Sequence, residues 1–306
     1  MSYHTYRNES ALKATVHALS KIDRSCGMCH MRFGSEPLPS HGTIKKAVIL
    51  CRELLFPGFF GSDNVNSYNL EYVIGIQSER LKALLENQIA AGLIFEGPCD
   101  EVDEENIHKK AEDITLHFFE SLPRLREILH TDVQAIYNGD PAVTNYEEVI
   151  YCYPSIKAII NYRLAHQLLL EGVPIIPRMI TELAHSETGI DIHPAAQIGH
   201  HFAIDHGTGV VIGATSIIGN LVKIYQGVTL GARSFDLDKE GNPVKGMPRH
   251  PVIGNHVIIY SNATILGRIH VGDGAVVGGN IWVTTDVAPH ERIVQAKANN
   301  IIRLPQ

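Results

Sequence analysis

The spacing of apolar residues changes once along the chain. Up to about residue 187 they recur at steps of three and four, the period of an amphipathic helix. "HGTIKKAVILCRELLFPGFF" predicts a helix that stops near Pro57 and Gly58. "SERLKALLENQIAAGLIFE" predicts one that opens with Ser78 as its cap and ends before the charged "GPCDEVDEEN". "ENIHKKAEDITLHFFESL" and "LPRLREILHTDVQAIYNG" are two further amphipathic segments. "PSIKAIINYRLAHQLLLEG" starts on a proline and terminates at Gly172, and a shorter helix over "PRMITELAHSE" leads into "TGIDIHP".

Beyond residue 188 the step is six. Ile192, Ile198 and Ile204 form one run; Ile212, Ile218, Ile224 and Leu230 a second; Ile253, Ile259, Ile265, Val271, Val277 and Val283 a third. Neither a 3.6-residue nor a two-residue period lines such positions on one face, whereas hexapeptide repeats are the mark of a parallel β-helix. Three hexads close one triangular coil, each aliphatic side chain points at the axis, and stacked coils pair their strands. The repeat breaks twice. Two residues are inserted at "DHGTG", and the polar, Gly- and Pro-rich "GARSFDLDKEGNPVKGMPRHP" leaves the prism as a loop.

The expected fold is therefore α+β. A helical domain spans 1–187, with 1–40 extended or flexible; a β-helix spans 188–290, with an extended loop at 232–251; a tail spans 291–306. A formal charge of −7 gives no field that would gather nucleic acid or an anionic membrane surface. No stretch reaches 18 continuous apolar residues and the first residues do not resemble a secretory signal, so the expected location is the cytoplasm. Five cysteines, at 26, 29, 51, 99 and 152, are odd in number and scattered, which does not suit a disulfide framework. "CGMCH" at 26–30 matches the pattern of haem attachment, but without an export signal it is read as a pair of reduced thiols.

Both interruptions of the repeat carry histidine. A carboxylate can fix one imidazole nitrogen and raise the basicity of the other, letting the ring take a proton from a hydroxyl as its oxygen attacks an acyl carbon. His206 and His250 are the candidates for the imidazole, and Asp191 and Asp205 for the carboxylate. Arg249 suits a bidentate grip on a substrate carboxylate. The competing reading of a histidine-rich surface is zinc, but thiols are absent from residue 153 onward and no ligand set has the usual spacing, so no metal is expected. A scaffold without catalysis would explain the repeats but not the clustering of these groups where the repeats break.

Together, "DPA" (Asp140–Ala142), "DIHPAAQIG", "DHGTG" and "RHP" resemble the serine O-acetyltransferase family of hexapeptide-repeat acyltransferases. The resemblance runs from about "LPRLREILHTDVQAIYNGDPAV" to "VTTDVAPH" and implies a left-handed β-helix. It implies acetyl transfer from acetyl-CoA, a co-substrate rather than a resident cofactor, to L-serine in cysteine biosynthesis; homoserine or another hydroxyl acceptor is the alternative. His206 would be the general base and Asp191 the aspartate that orients it. Asp140 and Asp205 would hold the serine amino group, with Arg249 and His250 near its carboxylate. Gly231, Ser261 and Gly279 match small-residue positions of the coenzyme groove, although "YSNA" and "LGAR" depart from the family's usual residues there. The family forms trimers or dimers of trimers. Its partner, O-acetylserine sulfhydrylase, is usually engaged through a terminal isoleucine, from which "IIRLPQ" departs.

Overall fold

The computed structural model of the protein describes residues 3–21, 38–61, 64–96, 103–234 and 237–296. The "CGMCH" thiols, Cys99 and the residues after 296 lie outside the described residues. The chain divides into two compact units, Met1–Pro37 and Leu38–Gln306. In the first, Tyr3–Ser20 is a helix, α1, where the sequence left an extended or flexible run.

The second unit opens with helices α2 (His41–Leu55), α3 (Leu70–Glu96), α4 (Glu104–Gly139), α5 (Tyr146–Cys152), α6 (Pro154–Leu170) and α7 (Ile176–Thr188). Helix α3 begins eight residues before Ser78, which lies inside it. Its true start is an asparagine pair: Asn69 Oδ1 accepts from Asn66 N at 2.8 Å and Asn66 Oδ1 accepts from Tyr68 N at 2.9 Å. The two segments on either side of Pro123 form the single 36-residue α4. One stripe, Ile114, Phe118, Leu122, Leu125, Leu129, Val133 and Ile136, crosses the proline at steps of four and three and is buried throughout, so core packing outweighs the missing backbone donor. Proline starts α6, and the left-handed Gly189 (φ 70°) ends α7. Among the described residues no helix is long and apolar enough to cross a membrane.

A parallel β-solenoid follows, with fourteen short strands in the described residues. One face stacks β1 (Asp191–Ile192), β4 (Val211–Ile212), β7 (Thr229–Gly231), β10 (Thr264–Leu266) and β13 (Trp282–Val283). A second stacks β2 (Gln197–Ile198), β5 (Ile217–Ile218), β8 (Val252–Ile253) and β11 (His270–Val271). The third stacks β3 (Ala203–Asp205), β6 (Lys223–Tyr225), β9 (Ile258–Ile259), β12 (Val276–Val277) and β14 (Arg292–Ile293). The register aligns the hexads, with Ile192 on Ile212, Ile212 on Leu230 and Ile265 on Val283. Of the thirteen hexad residues all but Ile198 are buried, and Ile198 packs against that core. A second inward column two residues earlier, including Phe202, Val210, Val222, Val228, Val257, Ala263 and Ala275, fills the corners.

The helices are fixed to the first coils by a buried ion pair. Arg163 of α6 donates from Nε and Nη2 to Asp132 of α4 at 3.1 Å, from Nη1 to the Ile198 carbonyl at 2.7 Å and from Nη2 to the Gly199 carbonyl at 2.6 Å. Asp132 Oδ1 also accepts from Phe202 N at 2.9 Å, so both charges are satisfied without water. This junction sets the end of α4, and with it Asp140, beside β3.

Candidate active site

Asp205 closes β3 and His206 opens the inserted turn to β4. His206 has φ 57°, but His201, Leu221, His256, Asn262, Asn280 and His290 have φ of 55° to 61° as well, so left-handed backbone is the habit of these corners and carries no functional message by itself. What sets His206 apart is the carboxylate within ion-pair reach of it, Asp205, since most of these corner side chains are exposed as it is. The His206 side chain is 75% exposed, while Gly207 (φ 103°) folds the turn back so closely that a Cβ there would come within 2.5 Å of Ile190 Cδ1.

Asp205 Oδ1 lies 3.8 Å from His206 Nε2, and Oδ2 receives the Lys223 ammonium at 2.9 Å. Lys223 also donates to the Gly139 carbonyl at 2.6 Å and sits 4.6 Å from the centre of the Tyr225 ring, which stacks on Tyr260. Burial would lower the lysine pKa, but its bonds to Tyr225 and Asp205 outweigh this and raise it, so it stays charged. Asp140, the residue that ends α4, accepts from the Tyr153 hydroxyl at 2.5 Å and from Ala142 N at 2.8 Å. Those two bonds, with smaller help from Lys223 and His206, hold its carboxyl below the usual carboxylate range. Asp140, Tyr153, Asp205 and Lys223 line one small pocket over Ile136 and Ile204.

Asp191 heads β1 in different company. Its Oδ1 lies 3.8 Å from Arg178 Nη2, and Arg178 also pairs with Glu182, which is 3.1 Å from His185 Nδ1. Glu182, His185 and Asp191 bring ligand atoms within 4.8 Å of one another, and the Arg178 guanidinium lies against both carboxylates. Among the described residues the carboxylate within ion-pair reach of His206 is Asp205, and Asp191 does not contact that ring.

Arg249 and His250 end the long loop and precede β8. Arg249 lines an open pocket whose other walls are the loop residues Asp238, Asn242, Pro243, Val244 and Lys245. His250 is buried and its ring lies over Gly213, where a Cβ would come within 1.9 Å of it. Burial, reinforced by Arg249, His193 and Arg268, pushes its pKa down to about 4, so it is neutral near pH 7. Of the coenzyme candidates, Gly279 stacks under Ser261, whose carbonyl accepts from Asn280 N at 2.9 Å, and Gly231 ends β7.

These residues fall into two groups on one face. The chain enters the β1-β4-β7-β10-β13 face along an incoming edge that carries His206, Ser261 and Gly279, with Asp205, Asp140 and Lys223 beside it. It leaves along an outgoing edge that carries Gly213, Gly231, Arg249 and His250. Lys223, Tyr153, Arg178 and Thr215, all in contact with the predicted residues, were not legible in the sequence, because coil register and helix ends bring them there.

The chain is 44% identical over 295 residues to the plasmid-encoded serine acetyltransferase of Synechococcus elongatus, a match covering 95% of this chain and 92% of that one. Its structure is similar to that of Entamoeba histolytica serine acetyltransferase isoform 3 in complex with cysteine (TM-score 0.71, 30% identity, 96% and 93% of the two chains). It is also similar to that of serine acetyltransferase 1 of the same organism in complex with L-cysteine (TM-score 0.70, 36% identity, 80% and 85%). No family model matches the chain.

Proposed function

The chain belongs to the serine acetyltransferase family of hexapeptide-repeat β-helix acyltransferases, and from that premise we propose that it transfers acetyl from acetyl-CoA to the hydroxyl of L-serine. The observation that carries the reading is the convergence of Asp140, Asp205 and an exposed His206 where the hexad repeat is interrupted. In the proposed reaction the serine oxygen bonds to the acyl carbon and the carbon–sulfur bond breaks. The hydroxyl proton passes to the His206 imidazole and from there to the departing thiolate, giving O-acetylserine and CoA. No enzyme-bound acyl group is required.

Asp140 is held ionised by Tyr153 and Ala142, which suits it to a substrate ammonium. Asp205 is the second acceptor for that ammonium, and its standing partner Lys223 prevents two carboxylates from facing each other uncompensated. Arg249 and His250 receive the carboxylate end, and a zwitterion needs both signs of charge. Asp191 orients His206 in this reading. Because Asp205 is within ion-pair reach of the ring, Asp191→Asn and Asp205→Asn separate the roles: the orienting carboxylate lowers kcat, whereas the ammonium-binding one raises the KM for serine.

Gly231, Ser261 and Gly279 line the path of the coenzyme arm. Their division between two edges supports a homo-oligomer in which the arm lies between copies. L-Cysteine, bound by both Entamoeba relatives, is proposed to compete here with serine, since it offers the same ammonium and carboxylate.

The test is release of CoA thiol from acetyl-CoA by the purified protein with L-serine, L-homoserine and no acceptor. Serine-dependent release well above the other two supports the proposal. Release with homoserine alone moves the acceptor, and none with either sinks it.

A further inference from the structure

His250 is one of several histidines at the corners of the coil; His193 Nδ1 accepts from one backbone N–H, that of Ala195, whereas His250 Nδ1 has a hydroxyl beside its backbone N–H as well. Thr215 N donates to His250 Nδ1 at 3.1 Å, and Thr215 Oγ1 lies 2.8 Å from the same nitrogen. The hydroxyl oxygen is already an acceptor twice over, from Arg249 N at 2.9 Å and from His250 N at 3.1 Å. A hydroxyl has one proton and two lone pairs, so with both lone pairs engaged its proton is directed at Nδ1. Nδ1 therefore faces two donors and cannot carry a hydrogen. The ring proton resides on Nε2, which has no hydrogen-bond partner among the described residues.

The backbone around this contact is fixed from outside. Arg268 Nη1 donates to the carbonyls of Thr215 at 2.6 Å and of His250 at 3.0 Å, clamping both ends of the arrangement. The ring plane rests on Gly213, where any Cβ would collide with it. The charged and titratable groups that bear on the imidazole, Arg249, Arg268 and His193, would all oppose a positive charge on it.

We propose that Thr215 is a positioning residue, which holds His250 as a neutral donor with its hydrogen on Nε2 and ties Arg249 to the same turn. The hydrogen is then offered to an acceptor oxygen of the substrate at every pH where the enzyme works, without the ambiguity of a free imidazole. The tautomer assignment is independent of the serine-transfer reading, and only the kinetic consequence rests on it.

The experiment has two arms. Intact protein labelled with 15N-histidine gives ring tautomers by long-range 1H–15N correlation, the His250 signal being the one lost in His250→Gln. The expected pattern is an unprotonated Nδ1 and a protonated Nε2, unchanged from about pH 5.5 to about pH 8. A hydrogen on Nδ1, or a ring that becomes doubly protonated within that range, overturns the proposal. In the kinetic arm, Thr215→Val raises the KM for the acceptor about tenfold or more and leaves that for acetyl-CoA within about twofold, while Thr215→Ser stays within about threefold of wild type on both. A folded Thr215→Val with unchanged acceptor KM overturns it too. If the wild type releases no thiol with serine, the functional reading fails and the tautomer measurement still decides this one.

Discussion

An imidazole is useful in acyl transfer only if it can reach the hydroxyl and is oriented by a carboxylate; His206 has 75% of its side chain exposed, and Asp205, at 3.8 Å, is the carboxylate within ion-pair reach, beside the orienting role proposed for Asp191. His206→Ala is expected to lower kcat by about 10² to 10⁴ with the fold and assembly unchanged, measured by thiol release beside circular dichroism and size-exclusion chromatography. Asp140 gives a pH-dependent test. Its carboxyl is depressed first by the Tyr153 hydroxyl and then by Ala142 N, so in the wild type it keeps its negative charge further into acid than a free carboxylate. Tyr153→Phe removes the larger of these bonds and raises the Asp140 pKa. The acid-side rise in KM for serine therefore moves to higher pH in the variant, and coincident KM profiles would contradict the role. In the sequence, the interruptions of the repeat were enough to single out Asp205, His206, Arg249 and His250. Lys223 and Tyr153 escaped because they reach the site only through the pairing of β3 with β6 and the bend between α5 and α6.

At the scale of elements, the hexad step predicted the solenoid directly, because each register pair repeats the same inward residue and a shift of one position would bury polar side chains. The helices were less legible at their ends. Ser78 looked like a cap because serine often is one, but the buried stripe of α3 leaves it in mid-helix. The two amphipathic segments that meet at Leu122 are one helix, because seven buried apolar residues on one stripe carry α4 past Pro123. The junction between helices and solenoid was invisible, since Asp132 and Arg163 are 31 residues apart and meet only in the folded chain. Removing one member leaves the other charge buried and unpaired. Asp132→Ala should cost about 3 to 5 kcal/mol in urea or thermal unfolding. Loss of under about 1 kcal/mol would mean that the pair is a consequence of the junction, not its anchor.

For the whole molecule, the division of the site between two edges of one face makes a quantitative demand. A chain alone presents His206 and the carboxylate pocket on the incoming edge, and Arg249 with His250 on the outgoing one. The site proposed above then lies where the incoming edge of one copy meets the outgoing edge of the next, as in a closed ring of identical subunits. His206→Ala and Arg249→Ala, each impaired alone, would then complement each other when co-expressed in equal amounts. An interface is intact only if the copy giving the incoming edge carries Arg249→Ala and the copy giving the outgoing edge carries His206→Ala. Random assembly makes about a quarter of the interfaces so, whatever the number of subunits in the ring. Recovery to about that fraction of wild-type thiol release is the expected result, with mixtures assembled separately before mixing as the inactive control. If each chain held a complete site, co-expression would yield no more activity than the two variants contribute separately.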